Sequence, residues 1–310
     1  MAGLATTLCG VSLRNPIVAA AGTAGYGPEI AEVVPASTFG AIVTKSITPE
    51  SRDGNPPWRV VDLPAGMFNA IGLANVGLDR FMAGILPELR TLDTVVIGSI
   101  AGHTLEDYVA VAAGFGDPAA EAIRLIEVNV SCPNTATGRL FGDDPRLLAD
   151  VVAAVVERAG GKPVLVKLSP GSAGVPDLAE IAVRSGAAGV TLANTMPAMA
   201  IDPETRRSRI GRAAGGLSGP AVHPIAVRLV HETRRRFEDA GLAASIVGLG
   251  GVLSWRDAAE FTLVGADAIG IGTGLFVDPR LPRRILRGLE GWVRRQRVAG
   301  LTDLQGGFQA

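Results

Sequence analysis

Eight short runs dense in Val, Ile, Leu and Ala punctuate the chain: Pro16–Ala20, Ala41–Thr44, Val95–Ile100, Leu125–Val130, Val164–Leu168, Gly189–Ala193, Ser245–Leu249 and Ala268–Ile271. Most are nearly continuous in apolar residues, which suits strands buried on both faces better than the in–out alternation of a half-exposed sheet. Stretches with helical periodicity lie between them. Pro145–Arg158 sets Leu147, Leu148, Val151, Val152 and Val155 on one stripe, and Ser254–Val264 opens on a serine cap. Strand then helix, eight times, predicts an α/β fold, the (β/α)8 TIM barrel. A chain of 310 residues with 47% hydrophobic content supplies one such domain over residues 1–310.

Three pieces exceed the minimal repeat. Leu4–Leu13 is expected to form an N-terminal hairpin that plugs the barrel floor, with Cys9 packed there as an inert apolar residue. Ile47–Leu78 follows the second strand and Thr195–Gly219 the sixth; both are insertions in βα loops, which places them on the active face. The last helix, Pro282–Ala299, is rich in arginine, but Ile285, Leu286, Leu289, Trp292 and Val293 form an apolar stripe, so its arginines read as a solvated face.

Charge excludes some partners. With 29 basic against 30 acidic side chains, no global field draws the chain to nucleic acid or anionic lipid. The start lacks a basic segment followed by a sustained apolar stretch, and no later segment offers about 18 uncharged apolar residues in a row, so a cytoplasmic protein is expected. Two cysteines, Cys9 and Cys132, are too few for a disulfide framework or an iron–sulfur cluster. The histidines, His103, His223 and His231, show no ligand spacing, so no metal is expected and all three read as surface or core residues.

The residues that close the strands converge on one mouth. Asn129-Val-Ser-Cys-Pro-Asn134 puts Cys132 there among polar neighbours, which makes it the first candidate for an active residue. Lys45 and Lys167 end apolar strands, where burying an ammonium is costly unless it faces a polar ligand or an anion. After the seventh and eighth strands, Gly248-Leu-Gly-Gly251 and Gly270-Ile-Gly-Thr-Gly274 let backbone N–H groups approach a phosphate, with help expected from the dipole of a following helix. A flavin mononucleotide suits this arrangement, its phosphate on the glycines and a lysine beside the ring. Two rivals use the same residues: a Schiff-base aldolase with Lys167 as nucleophile, and a flavin-binding scaffold without turnover. A dinucleotide-binding reading of Gly248–Gly251 is weak, because the next acidic residue, Asp267, precedes its strand rather than ending it.

Taken together, Asn129–Asn134, Gly54-Asn-Pro-Pro-Trp-Arg59, Asn69-Ala-Ile-Gly-Leu73 with Asn75, Val166-Lys-Leu-Ser-Pro170, Ala193-Asn-Thr195, Gly215-Gly-Leu-Ser-Gly219 and Gly248–Gly251 resemble the dihydroorotate dehydrogenases, from about Leu13 to Asp278 and in family order. A cysteine at the base position resembles the soluble class. Thr135-Ala-Thr-Gly-Arg-Leu-Phe-Gly142 is similar to the 1B catalytic subunit, which works with an electron-transfer subunit carrying FAD and a 2Fe–2S cluster and passing electrons to NAD. The fumarate-linked 1A homodimer and other FMN-dependent dihydropyrimidine oxidoreductases are the alternatives within reach of the resemblance.

The resemblance implies oxidation of (S)-dihydroorotate to orotate in pyrimidine biosynthesis. Cys132 is implied as the base that takes the C5 proton, while hydride leaves C6 for flavin N5. Lys45, Asn69, Ala70, Ile71, Gly72, Leu73, Asn129, Asn194 and Thr195 are implied to hold substrate. Ala21, Lys45, Ser46, Ser99, Asn129, Lys167, Ala193, Gly219, Gly250, Gly251, Gly272 and Thr273 are implied to hold one FMN per chain. A homodimer, or a heterotetramer with the electron-transfer subunit, follows from the same source. Two departures stand out: Ser99 occupies a position where asparagine is common, and Ala21 replaces a frequent serine, so each loses or shortens a possible side-chain bond to flavin.

Overall fold

All eight runs become strands of one closed parallel barrel: β1 (Ile17–Ala19), β2 (Ala41–Val43), β3 (Val95–Ile100), β4 (Ile123–Asn129), β5 (Val164–Leu168), β6 (Gly189–Leu192), β7 (Ser245–Leu249) and β8 (Ala268–Ile271). The fold is known from a computed structural model that describes residues 3–131 and 140–309. Neighbours in sequence are neighbours in the barrel, and β8 closes onto β1 through Ile269↔Ile17, Gly270↔Val18 and Ile271↔Ala19. β4 begins before its expected start at Leu125, where a register shift between Val96 and Ile97 lets Ile123 pair with β3.

The expected Pro145–Arg158 helix forms with those bounds, its first turn capped by the Asp144 side chain. Ser254 caps Trp255–Leu263 in a reciprocal box with Asp257. The last helix spans Leu281–Gln296 and buries the expected stripe. The strand–helix repeat is weakest after β1. There the helix is a single turn, Pro28–Ala31, because Gly22, Gly25 and Gly27 take positive φ and Pro35 follows closely.

The barrel interior is graded. At the floor, Leu8 and Leu13 of the Thr6–Leu8/Val11–Leu13 hairpin join Val18, Ala41, Ile97, Leu125, Leu165 and Val247 in one buried apolar cluster. The expected plug is thus in place. Its Cys9-Gly10 turn has positive φ at both residues, the twist that a two-residue hairpin favours. Asp267 also serves the floor: it pairs with Arg234 at 2.8 Å and accepts the Ile246 N–H at 2.7 Å, a structural role at the end opposite the mouth.

Two residues further along the same strands, the inward positions turn polar: Ser99, Glu127 and Lys167 follow Ile97, Leu125 and Leu165. Above them the two insertions form one unit. Val60–Leu63, Gly66–Asn69, Gly215–Ser218 and Met196–Ala198 pair as a four-stranded antiparallel sheet, with Gly216 opposite Asn69. Its own small core is Phe68, Ala200 and Ile210.

Candidate active site

Strand ends and inserted sheet together enclose a cavity of about 1010 Å³ at the C-terminal mouth. Lys45, Asn129, Lys167 and Asn194 come from the strand ends, Asn69–Leu73 from the insertion after β2, and Gly219, Gly250, Gly251, Gly272 and Thr273 from the far side. Ala21, Ser46, Ala193, Ala70, Ile71, Gly72 and Thr195 line it too. Ser99 does not. It is fully buried one layer below, where its hydroxyl meets the Ser46 hydroxyl at 2.8 Å and its N–H donates to Thr44 Oγ1 at 3.0 Å. Cys132 and the segment 133–139 lie outside the described residues.

The lysines differ in their surroundings. Lys167 is buried, and its Nζ stands 3.9 Å from Glu127 Oε1, while Thr191 donates to Glu127 Oε2 at 2.9 Å. An internal carboxylate therefore offsets this ammonium. Lys45 lies by the first glycine turn, its Nζ 3.9 Å from where a Cβ on Gly22 would sit.

Asn129 and Asn194 form one amide cluster. Asn194 Nδ2 donates to Asn129 Oδ1 at 3.2 Å and to Ser131 Oγ at 2.9 Å, and its Oδ1 accepts the Thr195 N–H at 2.8 Å. Asn194 is thus spent on holding its neighbours, whereas the Asn129 amide nitrogen has no acceptor among the described residues. Asn69 ties the sheet by donating to Gly216 O at 3.2 Å. Asn75 bonds Thr48, Leu73 and Gly77 and is a clamp within its own loop.

Sequence reasoning missed several groups here. Arg52 and Arg212 line the cavity, the latter giving two hydrogen bonds to Asn55 Oδ1 at 3.1 and 3.0 Å. His103, read as a surface or core residue, lines it as well. The insertions carrying Arg52 and Arg212 are expected on the active face, but which of their side chains reach the cavity depends on tertiary pairing of loops. The lining carries Lys45, Lys167, Arg52 and Arg212, and no carboxylate among the described residues.

That charge fits a phosphorylated cofactor, and so do the glycines. Gly272 has room for a side chain, since a Cβ there would meet no protein atom closer than 3.8 Å; the space it leaves open belongs to the cavity. The backbone N–H groups of Gly250, Gly251 and Gly272 have no protein acceptor among the described residues. The expected helix dipoles contribute less. After β8 only the single turn Gly274–Val277 follows, and after β7 the helix N-terminus is already closed by Ser254 and Asp257.

The dihydroorotate dehydrogenase family model matches residues 3–293. The chain belongs to the dihydroorotate dehydrogenase family. As such it is an FMN-dependent flavoprotein oxidoreductase of pyrimidine biosynthesis. A Solibacter usitatus protein described as a dihydroorotate dehydrogenase A (fumarate) is 45% identical over 304 residues, covering 98% of this chain and 97% of its own. The catalytic subunit of a Geotalea daltonii dihydroorotate dehydrogenase B (NAD(+)) is 41% identical, covering 99% and 98%. The crystal structure of an Eimeria tenella dihydroorotate dehydrogenase with ferulenol superposes with a TM-score of 0.82 at 20% identity, over 98% of this chain and 88% of that one, which supports the barrel fold. Family membership displaces the aldolase reading of Lys167. No helix among the described residues is long and apolar enough to cross a membrane.

Proposed function

We propose that this dehydrogenase oxidises (S)-dihydroorotate to orotate with Cys132 as the base. The observation that carries the reading is the cavity itself: Lys45, Arg52 and Arg212, an amide cluster and unsatisfied backbone donors face one space with no carboxylate in its lining among the described residues, while Lys167 is balanced from below by Glu127. Such a lining suits an anionic, amide-bearing ring and a phosphate together.

In this reading Lys45 and the backbone of Asn69–Leu73 hold the substrate carboxylate and ring amides. The Asn129 amide nitrogen donates to a ring carbonyl, and Asn194 with Thr195 keeps that amide oriented. Gly219, Gly250, Gly251, Gly272 and Thr273 would hold the FMN phosphate, and Lys167, Ala21, Ser46 and Ala193 would contact the rest of the cofactor. Ser99 supports Ser46 from below. FMN bound there supplies the acceptor for the C6 hydride. Cys132 takes the C5 proton, so the CH–CH bond becomes C=C with one proton and one hydride removed. The inserted sheet lines one side of the mouth through Met67, Asn69, Gly216 and Ser218.

For the next acceptor we favour NAD, reached through an electron-transfer subunit carrying FAD and a 2Fe–2S cluster in a heterotetramer built on a homodimer of this chain. The similarity to a Solibacter usitatus protein described by fumarate supports a second reading, direct reduction of fumarate by the homodimer. Steady-state turnover separates the two: the isolated chain with dihydroorotate should reduce neither fumarate nor NAD, and adding the partner subunit should start NAD reduction alone. Fumarate reduction by the isolated chain would favour the second. Cys132→Ser and Cys132→Ala are expected to keep FMN and slow its reduction about 10²–10⁴-fold. Rapid-mixing absorbance checks this, and unchanged rates would remove Cys132 from the mechanism.

A further inference from the structure

His223 opens the helix His223–Asp239 and stands behind the Gly250–Gly251 turn, away from the cavity that the turn lines. Its Nδ1 lies 2.7 Å from Gly250 O. A carbonyl oxygen only accepts, so Nδ1 carries the proton and donates. The ring's other nitrogen, Nε2, is 3.4 Å from Glu260 Oε2, and the imidazole packs nearly perpendicular to the Phe261 ring with centroids 5.2 Å apart. Asp257, the remaining charged group of this corner, is committed to its helix cap, with Oδ2 accepting the N–H groups of Leu253 and Ser254 at 2.8 and 2.7 Å. The imidazole is therefore held through Nδ1 and its packing on Phe261, while Nε2 makes no hydrogen bond among the described residues.

The consequence follows from peptide geometry. Gly250 C=O and Gly251 N–H belong to one trans peptide and point in opposite directions. Drawing the carbonyl towards His223 turns the Gly251 N–H away from the helix, towards the cavity side. Little else fixes that plane. Both glycines have positive φ, +152° and +66°, and glycine backbone rotates with little steric resistance. A flipped peptide would present a carbonyl oxygen, not a donor, to an anion. The approach is close: a Cβ on Gly251 would sit 2.7 Å from His223 Cβ.

We propose that His223 is a positioning residue which, by holding Gly250 O, aims the Gly251 N–H at the cofactor phosphate and sets the preference for FMN over riboflavin. The inference rests on the FMN reading above. Flavin-free protein would be titrated with FMN and with riboflavin, following flavin fluorescence, for wild type, His223→Leu and His223→Asn. The asparagine Nδ2 falls near the imidazole Nδ1 position and keeps a donor for Gly250 O. His223→Leu is expected to weaken FMN about tenfold or more, the range for one lost charge-assisted hydrogen bond, with riboflavin affinity nearly unchanged and His223→Asn recovering most of the loss. An unaltered FMN-to-riboflavin ratio in His223→Leu would overturn the proposal, as would equal weakening of both flavins in both variants. A wild-type protein that binds riboflavin but gains nothing from the phosphate would overturn it too, and one that binds neither flavin would overturn the FMN reading itself.

Discussion

Inside the upper barrel, Lys167 and Glu127 are buried as a pair, and each stands where the other's absence would leave a lone charge. Removing one partner of such a pair costs about 3–5 kcal/mol, whereas replacing both is close to neutral. Glu127→Gln should therefore lower unfolding stability in urea by about 3 kcal/mol, and Glu127→Gln with Lys167→Met should restore most of it. Equal stability of the single variant and wild type would show that the pair is not coupled. The plug thiol tests a different residue. Burial pushes Cys9 up to about 12 from an ordinary 9.0, against a lowering contribution from its Ser245 hydrogen bond. Raised in the fold, it stays protonated, and its contribution to stability is lost only as pH climbs from about 9 to about 12. In a Cys132→Ala variant near about pH 8, native protein should give no thiol reaction with a disulfide reagent, and denatured protein one per chain. A reactive native thiol would refute the packed plug. The sequence showed Lys45 and Lys167 as cations that needed an anion; it did not show that Glu127 would serve Lys167, because a glutamate inside an apolar strand gives no sign of which neighbour it will meet.

The inserted sheet is where local pattern reading stops. Each insertion was legible as a long βα loop on the active face, but Gly66–Asn69 and Gly215–Ser218 are short, glycine-bearing and far apart in the chain, so nothing local announced that they pair. Arg212 crosses between the same two insertions to Asn55, whose Nδ2 in turn donates to Ala70 O at 2.9 Å. That chain of contacts ends on the backbone expected to hold substrate. Arg212→Ala should raise KM for dihydroorotate about 3–10-fold, with FMN affinity nearly unchanged. Steady-state kinetics beside a flavin titration checks it; a matching loss of FMN would mean that Arg212 serves the whole cavity rather than the substrate side.

Across the molecule, the barrel was readable because its strands are buried on both faces and so stay apolar along their length, as in Val164–Leu168 and Ala268–Ile271. The place of the mouth cavity followed from that one fact, since the ends of eight parallel strands meet there. The exceptions share a cause. The single-turn helix after β1 and the cavity positions of Arg52, Arg212 and His103 depend on how distant segments meet, and no window of sequence contains both partners. The central claim is that this mouth binds FMN and reduces it with dihydroorotate. An anaerobic absorbance titration of the purified holoprotein with L-dihydroorotate tests it most directly. The expected result is bleaching of the oxidised-flavin band near about 450 nm at one equivalent per chain; a yellow protein whose band is unmoved by excess dihydroorotate would contradict it.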